Sequence, residues 1–119
     1  MNNSEAIIMQ NNLERVWNER NPDKRITAIQ EIYHPNATLN HVDDQVTGHH
    51  AINDAVTATL KALPENFVFT TLKPIIINNS IGRLIWGAGE KGQPPLGNGM
   101  DIAHFENDKI KSLYVFLES

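Results

Sequence analysis

The sequence contains no cysteine, and that one absence removes several chemistries together. Disulfides, thiolate nucleophiles, cysteine-ligated zinc and iron–sulfur clusters are all excluded. Basic residues are scarce as well: ten Lys and Arg stand against fourteen Asp and Glu, for a formal net charge of -4. So few and scattered cations give no counterion-releasing footprint for nucleic acid, and an anionic membrane surface would repel the chain. Apolar runs such as Ile75-Ile76-Ile77 are strand-sized, far below the ~18 residues that span a bilayer. The opening stretch from Met1 to Met9 has neither the basic region nor the long apolar core of a secretion signal, so a cytoplasmic protein is expected. What is left for chemistry is His, Asp, Glu, Lys, Tyr, Ser and Thr, residues that move protons. The 119 residues fit a single domain, 1–119, and no metal or other cofactor is expected.

Apolar spacing divides the chain in two. Ser4 can cap a first helix whose stripe runs through Ile7, Ile8, Leu13, Val16 and Trp17 and ends near Asn21-Pro22. A second helix carries Ile26, Ile29, Ile32 and Tyr33, and His34-Pro35-Asn36 stops it. Ala37 to Val42 alternates like a strand, Asp43-Asp44-Gln45 reads as a turn, and Gly48 precedes a third helix closed by Pro64. The period then switches to two. Phe67 to Ile77 reads as one long strand, with Pro74 demanding a bulge or an edge position, and Ile81 to Ala88 as the next. Gly87 to Gly99 reads as a glycine-rich loop or an irregular strand end; Met100 to Phe105 and Ile110 to Leu117 form a last hairpin. Helices followed by antiparallel strands give an α+β class, with the helices on one face of a curved sheet.

Three segments carry a family likeness: Tyr33-His34-Pro35-Asn36-Ala37-Thr38-Leu39, Gly48-His49-His50-Ala51-Ile52, and Gly99 to Ile110 followed by Leu113-Tyr114-Val115-Phe116. With the order of elements, they make the chain resemble the nuclear transport factor 2-like superfamily, in particular its SnoaL-like and ketosteroid-isomerase branches. The resemblance implies a cone: three helices in the N-terminal half packed in a strongly curved, mainly antiparallel sheet around an internal pocket. Fold alone does not say whether such a pocket is catalytic.

Asp101 shares a strand face with Ala103 and Phe105, so it should look inward. A carboxyl there either ionises beside a partner or stays protonated, and both states serve proton transfer. The resemblance also puts it where many members keep a catalytic Asp. The plainer alternative is a solvated Asp at a strand end. His41 shares the face of Ala37 and Leu39. The resemblance places it where the isomerases carry a proton-shuttling carboxylate, so His is a departure. An imidazole can still act as a base, and an inward Asp would fix its tautomer and raise its pKa. The alternative is a rim His satisfied by one carbonyl. Trp17 matches the position of an oxyanion-donating Tyr in the isomerases; it either donates its one N–H or simply walls the pocket. Tyr33, Trp86 and Phe105 complete the expected lining.

His49 and His50 are adjacent and point in different directions, so they make a poor metal pair. His34 and His104 read as surface or interface residues. No phosphate loop, dinucleotide fingerprint or nucleophile elbow is present. The expected function is a cofactor-free acid–base enzyme acting on a small apolar molecule, by isomerisation, cyclisation, dehydration or epoxide opening, with His41 and Asp101 as the pair. The alternatives are a binding module using the same pocket, or a dimerisation domain with a vestigial one. Ile102, Tyr114 and Phe116 cannot all be covered by three short helices, so a homodimer through the outer sheet face is expected.

Overall fold

The computed structural model describes residues 4–118. Within them three α-helices, α1 (Ser4–Asn11), α2 (Pro22–Ile32) and α3 (His49–Lys61), pack against a seven-stranded sheet. The strands are β1 (Tyr33–His41), β2 (Asp44–Thr47), β3 (Phe67–Thr71), β4 (Ile76–Asn78), β5 (Ile81–Glu90), β6 (Gly97–Glu106) and β7 (Lys109–Glu118). Their order is β2-β1-β7-β6-β5-β3, with β4 also paired to β5. Every ladder is antiparallel except β1–β7. The fold is α+β, a curved open sheet whose concave face holds the helices. No helix among the described residues is long and apolar enough to cross a membrane.

The first helical stretch is not uniform. α1 continues into a π-helix, Asn12–Trp17, where the Asn18 N–H reaches back five residues to the Leu13 carbonyl at 3.0 Å. The wider turn brings Asn12, Leu13, Val16 and Trp17 into the core together. α2 starts as its sequence dictates: the Asn21 side chain accepts from the Asp23 N–H at 2.9 Å, and Pro22 occupies the first turn. It ends one residue before Tyr33, which is already extended and opens β1. The strand was expected only from Ala37. The register against β7 shifts between Tyr33 and Thr38, the interval holding Pro35, which has no N–H for the ladder.

Three other boundaries differ from expectation. The stretch from Phe67 to Ile77 is two strands, β3 and β4, which pair with different parts of β5 and are split around Lys73-Pro74. Most of the glycine-rich segment is strand, because β5 runs to Glu90 and β6 begins at Gly97; only residues 91–96 form the turn. Asp44 belongs to β2, not to a turn. It pairs with His41 across a tight connection of Val42 and Asp43, where Val42 takes φ +46°, an unusual value for a β-branched residue.

Tyr33 shows how a polar group is accommodated in this core. It is fully buried, and its hydroxyl donates to Oδ1 of buried Asn12 at 2.6 Å, tying β1 to the π-helix. Replacing Tyr33 by Phe leaves the Asn12 oxygen without that donor in a dry site. Tyr33→Phe is therefore expected to lower stability by about 1–3 kcal/mol, read as a lower urea midpoint with an unchanged slope.

Candidate functional site

One end of the concave face holds an open-mouthed cavity of about 470 Å³. The π-helix supplies Leu13 and Trp17, the last turns of α3 supply Ala58, Thr59, Ala62 and Leu63, and the sheet supplies the remainder. Besides the two indoles, the polar side chains on this wall are His41, Thr59 and Asp101. The Thr59 hydroxyl already donates to the Ala55 carbonyl at 3.0 Å, within its own helix.

Asp101 lies on β6 with Gly99 and Ala103 on the same face, all three buried. Gly99 pairs with Trp86 of β5. A side chain at Gly99 would collide with the Trp86 ring and with the Phe116 carbonyl. The missing Cβ lets the indole cross β6, and its Nε1–H donates to Asp101 Oδ1 at 2.9 Å. Burial pushes the Asp101 carboxyl from 3.8 up to about 7, and the Trp86 hydrogen bond offsets only part of that rise. Near neutrality the group can therefore give a proton or accept one.

His41 ends β1, half-buried at the cavity wall. Burial lowers its pKa, opposed by the charge of Asp44, its partner across the β1–β2 ladder. The ring is thus a neutral base at neutral pH. This corrects the expected direction: the shift is downward, and the acid opposing it is Asp44 rather than Asp101. Among the described residues no hydrogen bond joins His41 to Asp101, although both line one cavity.

An unforeseen residue connects the two groups. Phe69 of β3 meets Trp86 edge-on at 5.3 Å between centroids and Trp17 edge-on at 6.1 Å, while Trp17 lies 6.0 Å from the His41 ring. The wall from Asp101 to His41 is therefore a run of aromatic contacts. Asn18 holds Phe69 in place, donating to its carbonyl at 2.8 Å and accepting from its N–H at 2.7 Å. The amide thereby acts as a short extra strand along the sheet edge. A polar residue just after a helical stripe gave no sign of this contact.

Trp17 and Trp86 line the cavity, whereas Tyr33 and Phe105 do not. Both of the latter pair with Ile110 of β7, at the closed end of the sheet, and are buried there. Burial, and secondarily the charge of Asp101, raises the Tyr33 phenol above its ordinary pKa. The Trp17 indole is close enough to act in the opposite direction, but its buried N–H meets no acceptor in hydrogen-bond geometry. His49 is structural, its Nε2 bonded to the Tyr33 carbonyl at 2.9 Å. His34 reaches the Glu106 carbonyl, and His50 and His104 are exposed. Among the described residues no three His, Asp or Glu are grouped so as to hold a metal ion.

No family model matches the sequence, and no curated protein does. Solved structures do. A SnoaL-like family protein from Agrobacterium tumefaciens str. C58, with a provisional isomerase assignment, superposes with a TM-score of 0.88 at 18% identity, covering 99% of this chain and 100% of that one. A SnoaL-like protein from Jannaschia sp. CCS1, provisionally a polyketide cyclase, gives a TM-score of 0.80 at 8% identity, covering 97% and 85%. A protein of unknown function with a cystatin-like fold from Methylobium petroleophilum PM1 gives 0.73 at 14%, covering 98% and 76%. At these identities the likeness establishes the fold alone, a cystatin-like one that this chain shares with those SnoaL-like proteins.

The raised Asp101 pKa has a stability consequence with a definite sign. The folded state holds this proton more tightly than the unfolded chain, so stability falls as pH rises from about 4 through about 7. His41, whose pKa is depressed, acts oppositely: it loses stability as pH drops below 6.5. Comparing wild type with Asp101→Asn isolates the acid. The variant should lack the decline and exceed wild type by roughly 4 kcal/mol above pH 7, measured by denaturant titration between pH 4 and pH 8.

Proposed function

We propose that this chain is a small-molecule enzyme working by cofactor-free general acid–base chemistry on an apolar substrate held in the cavity. The observation that carries this reading is the pairing of environments: a carboxyl with a pKa of about 7 and a neutral imidazole face one nearly apolar space of about 470 Å³. His41 removes a proton from the substrate. Asp101, in its protonated form, donates to the oxygen on which charge develops, or delivers the proton elsewhere on the molecule. The nearly apolar lining lowers the local dielectric and makes each of these interactions stronger.

Reactions that relocate a proton within one apolar molecule fit this set: isomerisation, cyclisation, dehydration and epoxide opening. The provisional assignments of the Agrobacterium and Jannaschia proteins, isomerase and polyketide cyclase, fall in the same group and support the reading. One observation favours a second reading, ligand binding without turnover. His41 and Asp101 share no hydrogen bond, so they can work together only through a bound molecule. The domain acts as a homodimer formed through the outer sheet face, a proposal supported by Tyr114 and Phe116 on β7, which are 43% and 51% exposed.

A screen of hydrophobic ketones, enols and epoxides should reveal turnover, with kcat reduced about 100-fold or more in both His41→Ala and Asp101→Asn. Turnover indifferent to both substitutions would remove the assigned roles. Ligand-dependent thermal shifts with no turnover would establish the binding reading instead. Sedimentation should give about twice the 13.4 kDa chain mass, and Phe116→Glu should restore the monomer.

A further inference from the structure

A second cleft, of about 530 Å³, lies on the other side of α3 and shares no lining residue with the apolar cavity. Arg25 of α2 forms its inner wall and is fully buried. Its guanidinium is bonded to neutral acceptors along most of its edge. Nε donates to the Glu19 carbonyl at 2.8 Å, and Nη1 donates to the Asn53 carbonyl at 3.2 Å, to Asn53 Oδ1 at 2.9 Å and to Thr57 Oγ1 at 2.6 Å. Nη2 is buried and has no acceptor. Among the described residues no carboxylate lies within ion-pair distance of Arg25; the single ion pair among them, Arg15 with Glu31, involves neither Arg25 nor the cleft lining.

A buried cation held by dipoles alone is costly, and an unpaired N–H on the same group adds to that cost. Glu19 offsets part of the charge from nearby, its own carboxylate accepting from the Asn21 N–H at 3.1 Å. The cleft lining gathers more positive charge beside Arg25. Arg20 is anchored by Nη1 to the Leu60 carbonyl at 2.9 Å and by Nη2 to the Pro64 carbonyl at 2.7 Å, and Lys61 stands exposed at the rim. Three cationic residues thus face one carboxylate, Glu65, within the lining.

We infer that this cleft between α2 and α3 binds a phosphoryl dianion, free or carried as a phosphomonoester, with Arg25 Nη2 as its innermost donor and Arg20 and Lys61 as its outer charges. Guanidinium geometry suits such oxygens, and an excess of positive charge suits a dianion better than a lone carboxylate. The site is separate from the acid–base cavity, so it stands whether or not the proposed catalysis does.

The test is an NMR titration of the full chain with inorganic phosphate at constant ionic strength, following the Thr57 and Lys61 amides and the Arg25 Nε–H. Methyl phosphate and acetate are run as parallel arms. Saturable shifts with phosphate or methyl phosphate are expected, the second arm identifying an ester-borne group. Lys61→Glu, a surface change outside the apolar cavity, should weaken binding about tenfold. Arg25→Lys keeps the charge, loses the Nη2 donors, and should weaken it further. Should Arg25→Lys fail to fold, Lys61→Glu alone decides. Saturation by acetate alone, affinity unchanged in Lys61→Glu, or no saturable shift in any arm overturns the site.

Discussion

Cavity and sheet meet at the hydrogen bond from the Trp86 indole to Asp101, and much of the molecule is arranged so that it can form. A carboxyl on the concave face of a small sheet is surrounded by hydrocarbon, and ionising it there is expensive. The indole gives it one donor, which favours the charged form without fully restoring it. Gly99 is the condition for that contact, because a methyl group at this place would push the ring off β6. Phe69 then braces the indole from the neighbouring strand, and Asn18 braces Phe69. The chain of dependence runs from a backbone hydrogen atom to the protonation state of the most deeply placed acid.

Period-two reasoning reached the directions of His41 and Asp101 because alternation along a half-buried strand is imposed by geometry and survives errors in strand ends. The α+β order was legible for the same reason, since helical stripes dominate the first half of the chain and strand alternation the second. The strand ends themselves were not. Asp44-Gln45-Val46-Thr47 pairs as β2 although its side chains are mostly exposed, so no apolar pattern announces it. The glycines at 87, 89, 97 and 99 looked like loop because flexibility is what glycine most often signals. Here two of them give room to packing neighbours, Gly87 to Pro95 and Gly99 to Trp86.

Tyr33 and Phe105 mark a different limit. Both face inward, as their spacing implied, but inward has a depth, and the cavity takes up only one end of the concave face. Ladder register against Ile110 assigns them to the other end, and register between β1, β6 and β7 is a long-range property with no local trace. Arg25 shows the converse. A single Arg within an amphipathic helix reads as a solvated charge until the tertiary structure closes Asn53 and Thr57 over it. α3 consequently has two working sides, one apolar toward the cavity and one polar toward α2.

The lone parallel ladder, β1 against β7, has a bearing on how the molecule assembles. β5, β6 and β7 are successive hairpin neighbours, so Trp86 and Asp101 come together through local contacts with small loop-closure entropy. β1 enters the sheet only by pairing with a strand far along the chain, the kind of contact that slows folding. His41 and Trp17 therefore face a larger entropic barrier to reaching the cavity than the acid and its indole do. The acidic wall is a product of neighbouring segments, and the basic wall is a product of the whole topology.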